Sequence, residues 1–249
     1  MEKLFEVIFE DADLLVVHKP AGLVCHPTKG DEYSSLISRV RLYLNQQPAA
    51  SNPQPHLIHR LDRETSGIVL LAKNPVAAGE LGKIWETRAV LKEYLGIVHG
   101  RVAAEQGIID ASLGKDIASR VAIKDCVRPD GTPAQTEFFV VKRFARLIPA
   151  IKLQPSTFTL LRLRPLTGRK HQLRLHLAHL GHPIVGDKIY GGDPDLYLAL
   201  VENRLTDEQR ARLILPNHAL HAGRLQFDWR GQTRQFLAPP EPEFESFLA

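Results

Sequence analysis

Cysteine is scarce: Cys25 and Cys126 are the only two in 249 residues. So few, so far apart, exclude a disulfide framework and a four-ligand zinc set, and both are expected as free thiols. Long hydrophobic runs are absent as well. No apolar segment approaches the ~20 residues a membrane span needs. The opening MEKLFEVIFEDADLL carries two acidic residues before any apolar core could form, and no small-residue cleavage site follows it. It therefore does not read as a secretory signal, and a cytoplasmic location is expected. Acidic residues are missing from one long stretch. None lies between Glu137 and Asp187, where Lys142, Arg143, Arg146, Lys152, Arg162, Arg164, Arg169, Lys170 and Arg174 fall. A stretch of one sign fits a surface that meets phosphates, because counterion release supplies much of the affinity for a polyanion; a solvated charged face is the plainer alternative. The net charge of +4 decides little by itself.

What is present is ordinary globular composition, 44% hydrophobic and 24% charged, with enough chain to bury a substantial core. One catalytic domain over residues 1–249 is the simplest organisation. FEVIFEDADLLVVH reads as an opening hairpin ended by Pro20 and Gly22. SSLISRVRLYLNQ has helical apolar spacing behind a capping Ser, and the Pro-rich loop QPAASNPQPH follows. IVLLA is a short buried strand, residues 76–88 a helix, KEYLGIVHG the next strand, and 134–164 two or three alternating runs suited to antiparallel pairing. HQLRLHLAHLG places Leu173, Leu177 and Leu180 on one helical stripe, with Gly181 as its left-handed stop. Residues 196–213 form a polar helical insertion. ALHAGRLQFDW and TRQFLAPP are closing strands, and the acidic tail EPEFESFLA is expected at the periphery.

The most informative segment is HRLDRETSG, in the loop before IVLLA. Asp62 stands between Arg60 and Arg63, cations that favour an ionised carboxylate able to act as nucleophile or base. An isolated R-x-D-R is more often a structural ion pair or turn. The whole string, however, resembles the active-site motif of the RluA-type pseudouridine synthases, H-R-L-D followed by T-S-G. LLVVHKPAGLVCHP is similar to that family's opening strand and K-P turn, KEYLGIVHG to its K-x-Y block, TGRKHQLRLHLAHLGHPIVGDKIYG to its basic motif, and ALHAGRLQF to its L-H-A ending. The chain departs at His18, where an Asn is common, and the catalytic core is expected to start at once, without the S4 RNA-binding module that many relatives carry.

The resemblance implies an α+β pseudouridine synthase fold, with a mixed, largely antiparallel sheet, flanking helices and a central active-site cleft. It implies roles as well: Asp62 as the essential aspartate, Arg60 in base extrusion, Tyr94 stacking on the uracil and Arg174 as the aspartate's basic partner. Arg169, Lys170 and His171 would hold the RNA substrate. Uridine becomes its C-glycoside when N1–C1′ is broken, the base is turned and C5 is joined to C1′. A carboxylate can serve by adding to C6, by trapping C1′ or by removing the C2′ proton. A stacked base must first leave its stack, which calls for a cation and an aromatic platform.

The implied substrate is a ribosomal or transfer RNA stem-loop. No cofactor, metal, membrane or obligate protein partner is expected, and the chain is expected to be a monomer. His171, His176, His179 and His182 spread over too wide an arc for a metal set. Ser66 lacks the strand-turn-helix setting of a hydrolase nucleophile. A nucleobase glycosylase using the same Asp would release free uracil, and a binding factor without chemistry would have no need of an anionic group where phosphates approach.

Overall fold

The computed structural model describes residues 5–27, 34–47, 54–148, 155–193 and 195–249. In chain order its strands are β1 (Glu6–Glu10), β2 (Leu14–Lys19), β3 (His56–Leu57), β4 (Ser66–Ala72), β5 (Leu91–His99), β6 (Gln106–Asp110), β7 (Leu113–Lys115), β8 (Asp125–Val127), β9 (Gln135–Arg146), β10 (Ser156–Pro165), β11 (Leu220–Trp229) and β12 (Gln232–Leu237). Its helices are α1 (Leu36–Asn45), α2 (Pro75–Glu86), α3 (Gln172–His179), α4 (Asp195–Val201), α5 (Asp207–Leu213) and α6 (Pro242–Leu248). Two compact units result, one made of Met1–Lys92 with His221–Ala249, the other of Glu93–Leu220.

In the first unit β1 and β2 form the expected hairpin. Its turn is closed by the Asp11 carboxylate, which accepts from the backbone N–H groups of Asp13 and Leu14 at 2.9 and 2.7 Å. β2 and β3 pair antiparallel with β4, and β11 runs parallel to β4 through His221↔Ser66 and Ala222↔Gly67 before turning back into β12. Every residue of β4 is buried, which is why SGIVLLA is continuous rather than alternating in polarity. Leu14, Val16, Ile68 and Leu70 join Leu81 of α2 and Phe227, Trp229 and Phe236 in one core. Ser35 caps α1, and Asn74 caps α2 with Pro75 just inside it. Most of the Pro-rich loop, residues 48–53, lies outside the described residues.

The second unit orders its strands β5-β10-β9-β6, all antiparallel, beside the small β7–β8 pair. Across both units the pairing is mixed and largely antiparallel, an α+β fold as expected. The polar insertion is two short helices, α4 and α5, the latter opened by a reciprocal Thr206/Gln209 capping box. Gly181 ends α3 at φ +86°, but the leucine stripe differs from expectation. Leu173, Leu175 and Leu177 are all buried while Leu180 is exposed, because the short helix is covered on several sides.

The acidic tail is also not peripheral. It forms α6, which buries Phe244 and Phe247, and Glu241 at its cap accepts from the Ala21 N–H at 3.0 Å. Two aromatics three apart on a helix outweigh the acidic composition. No helix among the described residues is long and apolar enough to cross a membrane.

Candidate active site

Asp62 lies in the loop from Ile58 to Thr65, between β3 and β4, and is half-buried while Arg60 and Arg63 beside it are exposed. The Thr65 N–H closes the turn on the Asp62 carbonyl at 3.2 Å, and Arg63 Nε donates to the Gly22 carbonyl at 3.1 Å. Just beyond, Gly67 has φ +116°, and a Cβ there would sit 2.3 Å from the Ala222 carbonyl oxygen. The T-S-G glycine is therefore required by the close approach of β11. Ser66 is committed to structure. His221 Nε2 lies 3.0 Å from the Ala238 carbonyl and must donate to it, so Nδ1 accepts from the Ser66 hydroxyl at 2.9 Å.

Two residues of the opening block, not singled out in the sequence for any role, hold this loop. The Lys19 side chain is fully buried. Its ammonium donates to the carbonyls of Pro20 and Leu23 at 2.8 Å each and to that of Arg63 at 3.1 Å. Burial pulls its pKa from 10.5 down to about 8, against the pull of charge at Cys25, Glu241 and Asp62. Cys25 lies against Leu61, its Sγ donating to that carbonyl at 3.5 Å and accepting from that N–H at 3.4 Å. Burial pushes its thiol up, so it is an inert thiol rather than a nucleophile. The signal in the sequence was a lysine beside a proline at the end of an apolar strand, where an exposed charge is the usual reading.

In the second unit Tyr94 sits half-buried on β5 opposite Leu163. Its neighbour Glu93 is buried and holds Arg164 at 2.8 Å and Arg162 at 3.7 Å. Those arginines also lie over the Phe139 ring at 5.3 and 4.9 Å, so they belong to a sheet-face cluster.

The basic block is organised by Gln172, which is buried. It accepts from the Thr167 hydroxyl at 2.7 Å and the Arg169 N–H at 3.0 Å, and donates to the Gln135 carbonyl and Thr136 hydroxyl at 2.8 and 2.9 Å. His171 begins α3 in the left-handed region, φ +55°, with Nδ1 3.0 Å from the Tyr190 hydroxyl. Arg169 Nε reaches the Pro133 carbonyl at 3.2 Å, and Lys170 pairs with Asp125 at 2.8 Å.

Arg174 does not turn outward beside the leucines; only 5% of it is exposed. Its Nε and Nη2 fork onto the two oxygens of Asp187 at 2.7 and 2.9 Å. Although burial works against ionisation, Arg174 and the Tyr190 N–H hold the Asp187 carboxyl well below its ordinary 3.8.

The cation-rich stretch is thus largely matched in space. Arg143 pairs with Glu105, Arg164 with Glu93, Lys170 with Asp125 and Arg174 with Asp187. Chain folding brings in acids from outside the stretch, which corrects the picture of a single uncancelled phosphate-facing surface; Lys152 lies outside the described residues. The histidines have structural partners too. His176 Nε2 donates to the Ala111 carbonyl at 3.0 Å and Nδ1 accepts from Thr136 at 2.9 Å, while His182 Nδ1 donates to the His99 carbonyl at 2.8 Å. Among the described residues no group of three or more His, Cys, Asp or Glu is placed to hold a metal ion.

Comparison with known proteins follows the same residues. A family model described as RNA pseudouridylate synthase matches residues 13–179. The chain is 32% identical over 237 residues to an uncharacterized RNA pseudouridine synthase, YlyB, of Bacillus subtilis, covering 94% of this chain and 68% of that protein. It is 35% identical over 244 residues to the ribosomal large subunit pseudouridine synthase D of Haemophilus ducreyi, covering 97% and 69%. The solved structure of human RNA pseudouridylate synthase domain containing 1 has the same fold, with a TM-score of 0.74 at 23% identity, covering 99% of this chain and 89% of that one.

Proposed function

The chain belongs to the RNA pseudouridylate synthase family, isomerases that convert uridine in RNA to pseudouridine, and we propose that Asp62 is the carboxylate through which it acts. The observation that carries this is the setting of the Asp62 loop. The residues on both sides of a half-exposed carboxylate are tied down through the backbone, by Cys25 on Leu61 and by Lys19 on Arg63. A group that must meet one carbon of an extruded nucleotide gains from such fixed placement, since small misplacements are costly in rate.

In this reading Arg60 fills the place the base vacates, Tyr94 stacks on the uracil, and Arg174 supplies the positive charge the aspartate requires. Arg169, Lys170 and His171 meet the RNA backbone. Residues 1–249 act in this reading as one catalytic domain. The bonds broken and made balance within one nucleotide, so the reaction calls for no redox cofactor. The substrate is a stem-loop of ribosomal or transfer RNA, and relatives named for the large ribosomal subunit favour the former.

The test is to map pseudouridines across total RNA from cells with and without the gene, then from the deletion strain carrying Asp62→Asn. We expect one or a few sites to vanish with the gene and to stay absent with the variant, folded as judged by circular dichroism. Sites restored by Asp62→Asn would remove the aspartate from the chemistry.

A further inference from the structure

The carboxylate of Asp187 has no exposed surface and takes four hydrogen bonds. Arg174 contributes two through its fork, and the N–H groups of Ile189 and Tyr190 donate to Oδ1 at 2.9 and 3.0 Å. Three of these fall on Oδ1 and one on Oδ2, so both oxygens of the carboxylate are held. The turn around it leaves little slack. Gly186 has φ +82° and a Cβ there would lie 2.5 Å from the Asn217 carbonyl, while a Cβ on Gly191 would lie 2.3 Å from the Asp187 carbonyl. The same turn places the Tyr190 ring 5.2 Å from the Arg174 guanidinium carbon.

Arg174 is therefore held along its Nε/Nη2 edge by charge and over one face by an aromatic ring. Such a buried pair contributes little to stability compared with apolar side chains of the same volume; what it does supply is a defined orientation.

We infer that Asp187 is a positioning residue for the isomerisation, setting the orientation of the buried Arg174 guanidinium. This rests on the role given to Arg174 above. Asp187→Asn keeps an oxygen for the Ile189 and Tyr190 N–H groups but turns an amide N–H toward Arg174, so the fork is lost with little change of shape.

The experiment uses the full chain and, as substrate, total RNA from cells lacking the gene, with single-turnover pseudouridine formation measured as a function of enzyme concentration. Asp187→Asn is expected to lower the maximal rate roughly tenfold or more while leaving half-saturation within about twofold. In an Arg174→Lys background the same change should cost no more than about twofold further, because the planar fork is already gone. A role in folding alone would give equal losses in both backgrounds. A folded Asp187→Asn enzyme with the wild-type rate overturns the inference.

If Asp187→Asn does not fold, Asp187→Glu retains the charge but displaces it, and a similar loss of rate is expected from a folded protein. A wild-type rate there, or failure of both variants to fold, assigns Asp187 to the fold alone and overturns the inference. Arg174→Lys at the wild-type rate would instead sink the role of Arg174 itself. A slow Arg174→Lys beside a fast Asp187→Asn sinks only the inference drawn here.

Discussion

Lys19 Nζ donates to the carbonyl of Arg63 at 3.1 Å, across 44 residues of sequence. With its bonds to Pro20 and Leu23, all three N–H groups of the ammonium are spent on backbone carbonyls, so one side chain ties the end of β2 to the loop of Asp62. Lys19→Met keeps the length and removes every donor. We expect a loss of about 2 kcal/mol or more in urea unfolding, from the stranded carbonyls. The single-turnover rate should fall further than the unfolded fraction accounts for. A folded variant with an unchanged rate would detach Lys19 from the placement of Asp62.

Gly67→Ala should be among the costliest single methyl additions in the chain. The new Cβ would lie 2.3 Å from the Ala222 carbonyl at a φ of +116°, so β4 and β11 would have to part. A loss of roughly 3 kcal/mol or more is expected, read as a lowered thermal midpoint. A variant as stable as the wild type would mean that the parallel β4–β11 contact is not as tight as described.

Acid should weaken the first unit earlier than carboxylate chemistry alone would. Burial, opposed by the bond to Ala238 and aided by charge on His18, lowers His221 from 6.5 to about 4. Burial, with the charge of Lys92, lowers His59 to about 3. Both are neutral when folded, and the unfolded chain takes up protons first as pH drops below 6.5. Stability is therefore whole above 6.5 and lost from there down toward about 4 and below, on the order of 3 kcal/mol for His221 alone. Urea midpoints between pH 7.5 and 4.5 measure it, and His221→Gln should flatten the slope. A profile already flat in the wild type would contradict the neutral, buried state.

Arg169 and Lys170 adjoin in sequence but should differ in their effect on RNA binding. Lys170 is matched by the Asp125 carboxylate, whereas Arg169 meets the uncharged carbonyl of Pro133. Arg169→Ala is expected to reduce the slope of log affinity against log salt by about 1, and Lys170→Ala by clearly less. Slopes unchanged from the wild type in both variants would place neither at a phosphate, and equal reductions would place both there.

What the sequence made legible was local. The β1–β2 hairpin, the Ser-capped α1, the apolar run of β4 and the glycine stop of α3 are each announced by spacing and punctuation within a dozen residues. The motif string located Asp62 on the loop before a strand for the same reason. What escaped depends on partners far away in sequence. β7 and β8 are too short for a periodic signal, α6 hides two buried phenylalanines among acids, Glu93, Glu105 and Asp125 cancel cations dozens of positions away, and Asp187 cancels one 13 positions away. Lys19 was passed over because a lysine's burial shows only once three carbonyls converge on it. The burial of Arg174 is likewise hidden, because a helical wheel shows angular position but not what covers each side.

The division of the chain has a consequence for the order in which the protein is made. The second unit, Glu93–Leu220, is contiguous, whereas the first is interrupted and takes in His221–Ala249 only after the second has been synthesised. β4 gains its parallel neighbour from β11, and the Ala21 N–H gains Glu241, from residues that leave the ribosome late. During synthesis at ~5–20 residues per second, Asp62 is thus exposed to the cell for seconds before Ser66 meets His221 and the loop's own strand is enclosed. The nascent chain displays Asp62 early and acquires the frame around it last, so, on the role proposed for Asp62, uridine isomerisation waits for His221–Ala249 and does not belong to the fragment that first displays the aspartate.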